Sequence, residues 1–369
     1  MLTLVVCGRG GCSVPATGFL EDNVSLYILR RLLQAIPILF LISIVLFGLV
    51  NLAPGGPLAG HSRTRHTNPQ RAEMLKRQFG LDKPMPVQYI IWLAGNDWMR
   101  VDADGDGIAE SYGERRGVLR GDFGFSFQTR QPVLDEIANR LPNTIYLMAV
   151  TMIVVALIAI PIGVISAIKQ YSLFDISVTT LSFMGQAIPE FWLGLILILV
   201  FYAWLDNPFT GESLLPAGGM YTLGAGFSIW DRIKHLILPV IMGGAGWVAW
   251  YSRFLRSSML DVIHQDYVRT ARAKGLPERR VIYKHALRNA LIPLVTLFAI
   301  DLPYLFAGAV YVELLFAWPG MGRLYYQAAL RRDYPVLMAV LTIGAGVMLL
   351  SNLVADVAYA YLDPRVRYD

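Results

Sequence analysis

An all-α polytopic membrane protein, with six transmembrane helices and a large extracytoplasmic loop after the first, is the fold class the sequence predicts. Three observations predict it. Six stretches approach the ~20 apolar residues that a helix needs to cross a bilayer. Charged residues make up 16% of the chain, against about 25% in a soluble domain, and the mean hydropathy is +0.48. Short connections rich in Lys and Arg fall at alternate ends of the apolar runs, which is the signature of a membrane topology.

The first 23 residues, "MLTLVVCGRGGCSVPATGFLEDN", lack both the charged start and the apolar core of a signal peptide. They read as a disordered extension, or as an overlong start. Cys7 and Cys12 are the two cysteines of the chain. A lone CX4C pair with no other ligand type nearby does not make a metal site.

Residues 24–50 hold the first span, whose apolar core is at 28–50. Further spans are predicted at 143–168, 175–203, 235–255, 289–312 and 335–361. The fourth, "LILPVIMGGAGWVAWYSRF", carries a glycine cluster that lowers helix propensity but lets neighbouring helices approach closely. Arg30, Arg31, Lys169, the basic stretch between spans four and five, Arg365 and Arg367 all fall on one side. That side is therefore cytoplasmic, with both termini on it. Arg323, Arg331 and Arg332 oppose this orientation but are outnumbered. The 51–142 segment is long enough to cross regardless of its charge, and is placed outside. Within it, "NPQRAEMLKRQFGLDKP" reads as a helix with a glycine stop, and "VLDEIANRLP" as a second short helix leading into span two.

No GXXXXGK[ST], HEXXH or GXSXG motif occurs, and His61, His66, His235, His264 and His285 show no ligand spacing. The chain is therefore read as non-catalytic, with no ATP site of its own. The net charge of +5 is mild, and without a clustered basic face and reading motif it does not indicate nucleic acid.

The stretch "DYVRTARAKGLPERRVIYKHALRNALIP", residues 266–293, interrupts the apolar pattern with seven Lys/Arg. Gln265–Lys274 is predicted to form a short helix, stopped by Gly275 with Pro277 beyond. "ERRVIYKHALRNA" is predicted to continue as a basic amphipathic helix. Ala271 and Ala273, small among bulky neighbours, offer a face that a partner could approach closely. Such a helix–Gly–helix suits docking into another protein's groove, and it equally suits contact with lipid headgroups.

A second feature is the acidic insert at 96–116, "NDWMRVDADGDGIAESYGERR". Asp102, Asp104 and Asp106 alternate as in a calcium loop, Ile108 would offer its carbonyl, and Glu110 falls at position nine. Glu114 falls one residue beyond the usual bidentate position. Three carboxylates so close repel one another, and a Ca2+ ion in the 102–114 loop is one resolution. A solvated acidic turn is the other. Asp301 stands within the fifth span, where a charge at the bilayer centre costs about 2.5–3.5 kcal/mol on insertion scales. It is read as lining a translocation pathway, or else as a helix-packing hydrogen bond beside Pro303. Glu313, at the outer end of the same span, belongs to the same candidate pathway or anchors "FAWPGMG".

From Tyr27 onward, "YILRRLLQAIPILFLISIVLFGLVNLAPGGP", "FGLDKPMPVQYIIWL", "GVLRGDFGFSFQTRQPVLDEIANRLPNTIYL", "AIPEFWLGL", "VELLFAWPGMGRL", "RDYPV" and "DPRVR" follow one another in an order that resembles the permease subunits of dipeptide/oligopeptide ABC importers, in their first-permease form. The resemblance implies a type I importer-like core over 143–369 with a cytoplasmic coupling loop at about 259–288. It implies ATP-driven import of di- or oligopeptides through the bacterial inner membrane. It also implies a homologous second permease, two ABC ATPase subunits and an extracytoplasmic substrate-binding protein as partners, besides membrane lipid. Tyr267, Arg269, Thr270, Ala271, Arg272, Ala273, Lys274 and Gly275 would couple to the ATPases. Arg269, Thr270 and Ala271 stand where the general permease loop has E-A-A, which removes a glutamate contact. The acidic insert is also foreign to the pattern. A proton-coupled carrier, which calls for several midplane ionisable groups and internal repeats, and a calcium-responsive membrane protein are the rival readings.

Overall fold

The computed structural model describes residues 18–52, 77, 80–102, 111–208, 211–301 and 310–362. Long apolar segments leave the backbone no partner but itself in a bilayer, so helix is the only open structure available to them. The first helix, α1, runs Gly18–Leu52. It starts six residues inside the stretch expected to be disordered, because extending an existing helix adds one hydrogen bond per residue at little further cost.

Helix α2, Met85–Ala94, lies in the outer segment and packs onto α1. The ring centroids of Phe47 and Tyr89 are 5.4 Å apart, those of Phe47 and Trp92 6.0 Å, and the Tyr89 and Ser43 hydroxyls lie 2.7 Å apart. Within the insert, β1 (Arg100–Val101) pairs antiparallel with β2 (Ser111–Tyr112), Arg100 opposite Tyr112. Buried Asn96 closes the base of this hairpin. Its N–H donates to Arg115 O at 2.9 Å, and its Oδ1 accepts from Arg115 N at 3.0 Å.

Helix α3, Val133–Ile168, contains both the short outer helix expected at "VLDEIANRLP" and the second span, as one continuous rod. Its first turns bury Val133 and Ile137 against Met321, Leu324 and Val336, so packing against the C-terminal helices carries the helix through Pro142. The third span departs from expectation. In place of one helix over 175–203 there are two, α4 (Leu173–Ala187) and α5 (Glu190–Ile198, continued by a π-helical turn at Leu199–Trp204), bent by 99°. Pro189 is the cause: it has no N–H to donate and forces the preceding residue out of helical geometry, so Ile188 sits at φ −79°, ψ 125°.

Helix α6, Ile229–Ile263, is the central strut and makes its most extensive contact with α3. A Cβ on Gly163 would lie 2.7 Å from Ser252 O, and one on Gly244 would lie 3.2 Å from a Val155 methyl. The glycines that weaken this span as an isolated helix thus let two backbones meet. At one end of the pair, Arg256 donates to both oxygens of buried Asp175 on α4, at 2.6 and 2.7 Å.

The remaining helices are α7 (Asp266–Ala273), α8 (Leu287–Asp301), α9 (Val310–Leu315), α10 (Met321–Arg331) and α11 (Tyr334–Leu362). Four single helices, α1, α3, α6 and α11, and the bent pair α4–α5 are long and apolar enough to cross a membrane. The fifth expected span is represented by α8 and the start of α9, with 302–309 outside the described residues.

The glycine contacts make a paired prediction. G163L should lower the melting temperature of the purified chain, with overpacking of about 1–3 kcal/mol, whereas G246A, whose Cβ would meet nothing within 4 Å, should match or exceed wild type.

Candidate functional site

The basic stretch folds as a compact unit at the end of α6. Helix α7 spans Asp266–Ala273. The chain reverses at Gly275, whose φ of +74° suits glycine and strains other residues. Gly275 N donates to Arg272 O at 2.9 Å and Leu276 N to Ala271 O at 3.4 Å, which satisfies carbonyls that the helix end would leave open. Pro277 precedes the next helical turn, Glu278–Arg280, and a π-helical turn at Val281–Ala286 leads into α8. The wider turn buries Val281, Ile282 and Ala286 together. No sequence signal announced it.

The unit has a small core of its own. Val268, Ala271 and Val281 are buried there, with Val262 and Leu276 packed against them. Ile282, Ala286 and Ala290 join the main core beside Leu255 and Met259 of α6. Ser258 Oγ adds a hydrogen bond to Ala290 O at 3.0 Å. The loop is therefore fastened to both α6 and α8. Ala271 corrects one expectation: at 6% exposure it faces this internal core and is not available to a partner. Tyr267, Arg269, Thr270, Arg272, Ala273, Lys274 and Gly275 are exposed.

Two polar contacts brace the outward side. Arg272 Nη2 lies 2.8 Å from Glu278 Oε1 across the turn, and its guanidinium holds the Glu278 carboxyl below the ordinary glutamate range. Both side chains are well exposed, so the pair contributes little stability. Asn289 donates from Nδ2 to the Tyr267 hydroxyl at 3.0 Å. Arg269 and Asp266, 3.6 Å apart and almost fully exposed, contribute little to holding the shape.

The two acidic residues of the fifth span have different surroundings. Asp301, half-buried, accepts a hydrogen bond at Oδ2 from the hydroxyl of fully buried Tyr251 on α6. Tyr251 stacks with Phe298, with ring centroids 4.3 Å apart, and with Trp247 at 5.7 Å. Glu313 is completely buried. It accepts from Thr144 Oγ1 at 2.7 Å and from Arg323 N at 3.0 Å, and Thr144 Oγ1 in turn accepts from Met321 N. Asn143 adds a bond from its Nδ2 to Pro319 O at 2.9 Å, and Trp318 Nε1 donates to Asn143 O at 3.0 Å. Glu313 and its neighbours thus tie "FAWPGMG" to α3, the anchoring alternative of its two readings. Gly320 must be glycine for the carboxylate to fit, since a Cβ there would lie 2.5 Å from it.

Of the candidate calcium ligands, Asp102 and Glu114 flank the paired strands. Asp104, Asp106, Ile108 and Glu110 lie outside the described residues. Among the described residues no group of three or more His, Cys, Asp or Glu is arranged to hold a metal. Sequence reasoning passed over Asp333, buried at 2% exposure, which holds the hairpin at Phe125–Pro132 from more than 200 positions away. No local pattern could have marked it.

The Glu313 contacts give a graded prediction. E313A should destabilise the purified chain by roughly 2–3 kcal/mol, since it strands buried donors. E313Q, which keeps one acceptor oxygen, should lose less, as read by thermal unfolding in detergent.

Comparison with known proteins bears on the whole chain. The family model "Binding-protein-dependent transport system inner membrane component" matches residues 159–368, and a companion N-terminal model of the same transport system matches 24–148. An oligopeptide transport system permease protein of Bacillus subtilis strain 168 is 43% identical over 343 residues, covering 93% of this chain and 99% of that protein. A dipeptide transport system permease protein of Escherichia coli K12 is 37% identical over 358 residues, with 93% and 98% covered. A di/tripeptide transport system permease protein of Pseudomonas aeruginosa UCBPP-PA14 is 38% identical over 354 residues, with 93% and 98% covered. With one family model over more than half its length and relatives matched nearly end to end, the chain belongs to the inner-membrane permease components of binding-protein-dependent transport systems.

Proposed function

We propose that the chain is one of the two permease subunits of an ATP-driven importer of di- or oligopeptides in the bacterial inner membrane, forming half of the translocation pathway. Nucleotide hydrolysis takes place in two partner ATPase subunits, and this chain is not an enzyme. The spans are α1, α3, the bent pair α4–α5, α6, α8 through the start of α9, and α11, six in all, with both termini cytoplasmic. The outer segment 51–142, with 314–334, receives the substrate-binding protein. Peptide as cargo rests on the names of the relatives.

The observation that carries the reading is the construction of the 266–286 unit. Its apolar face is consumed by its own core and by α6 and α8, while its basic face is exposed. A unit built in that way moves with the spans when it is pushed. An ATPase groove that closes on nucleotide binding supplies the push, and the spans supply the two states. A loop serving lipid headgroups alone needs charge but no fixed shape. Asp301, reached only by Tyr251 among the described side-chain hydrogen bonds, is the residue we place on the pathway, where it offers a carboxylate to a peptide amine.

Replacing exposed positions separates these roles. R269E combined with A273W should leave the melting temperature unchanged, yet cut ATP-dependent peptide uptake by tenfold or more in reconstituted vesicles. Uptake at the wild-type rate would refute the coupling role.

A further inference from the structure

A cleft of about 270 Å³ lies between the Phe125–Pro132 hairpin, the first turns of α3, and α10 with the start of α11. One wall is unusually well fixed. Asp333 accepts from Ser126 Oγ at 2.5 Å, Phe127 N at 3.1 Å and Gln128 N at 3.2 Å. Ser126 N donates to Gln131 O at 2.9 Å and closes the hairpin. The tip residue Arg130 adopts a φ of 59°, a left-handed conformation that an unsupported arginine avoids.

The cleft's lining carries two carboxylates and two guanidinium groups, equal in charge, but the two signs are not paired with each other. Its two carboxylates are already engaged: Asp333 by the hairpin, and Glu136 by the Thr129 hydroxyl. Its two guanidinium groups, Arg140 and Arg331, make no ion pair among the described residues. Arg140 stands one turn after Glu136 on α3, the spacing at which a helical Glu–Arg pair forms, but Thr129 has drawn Glu136 away. Glu313 feels the charge of Arg140, yet it is bound to Thr144 and Arg323 and forms no salt bridge with it. Gln131, Asn139 and Gln327 line the same space with amide groups, over an apolar floor of Leu324, Ala328 and Val336. Two unpaired arginines with amide donors around them form a receptor for a carboxylate, and the floor suits the methylene groups that carry one.

We propose that this cleft receives an acidic side chain of the extracytoplasmic substrate-binding protein, and so fixes where that protein docks. The inference rests on the reading above that this face is extracytoplasmic and meets a binding protein, and it adds the site and its chemistry. The fixed hairpin favours a protein ligand over a free ion: a rigid wall with exposed Arg130 at its tip adds a third guanidinium beside the cleft, where a docking lobe would meet it.

The test uses the complete transporter in nanodiscs and its purified binding protein, with docking measured by surface binding over a range of salt concentrations. R331Q, an exposed position, and R331Q/R140Q should weaken docking by at least tenfold and flatten its salt dependence. ATP hydrolysis in the absence of binding protein should stay at the wild-type rate, which reports an intact assembly. Equal affinity for wild type and R331Q/R140Q, with wild type docking normally, would overturn the cleft while leaving the docking face in place. No docking to wild type would overturn the reading of the face itself.

Discussion

Gly163 on α3 faces the Ser252 carbonyl of α6 so closely that a methyl group would collide with it, and the arrangement of the remaining helices depends on that approach. In a bilayer, helices gain little from hiding apolar surface, since lipid is equally apolar, and van der Waals contact between backbones must supply the association. Small residues at Gly163 and Gly244 permit it. With α3 and α6 locked together, α4 is held through Asp175 and Arg256, α8 through Tyr251 and Asp301, and the Glu313 loop through Thr144.

The basic unit inherits its rigidity from the same source. Helix α6 ends at Ile263, and α7 begins at Asp266, so little chain separates the two. Val268, Ala271 and Val281 then glue α7 to the segment that returns into α8. A short helix of eight residues is marginal in water by itself. Here tertiary contact, and the turn at Gly275, hold it in one position. Force applied to its exposed side is transmitted to two spans rather than absorbed by bending.

Much of this was legible in the residues and some was not. The helical unit around Gly275 could be read because its signals are local: a run ending in a basic turn, a glycine, then a proline. The four long apolar helices α1, α3, α6 and α11 could be read from composition. The break in the third span was written in "AIPEFW", where Pro189 follows Ile188, but a long apolar run masked it. The inward turn of Ala271 escaped because alanine suits a tight partner contact and a tight internal one equally well. Glu313 and Asp333 escaped more completely. Their partners, Thr144 and Ser126, are 169 and 207 positions away, and a buried carboxylate satisfied at that distance leaves no trace in spacing. The acidic insert is described only at its ends, which pair as two short strands; Asp104, Asp106, Ile108 and Glu110 lie outside the described residues.

The attachment of the ATPase at the exposed face of α7 is the central claim, and site-directed cross-linking tests it most directly. With Cys7 and Cys12 replaced by serine, A273C and A271C would be introduced singly, and native membranes treated with a short bifunctional thiol- and amine-reactive reagent. The account predicts an ATPase adduct from A273C and none from A271C, two positions away but facing inward. Absence of an ATPase adduct from A273C, with R269C and K274C equally silent, would contradict it.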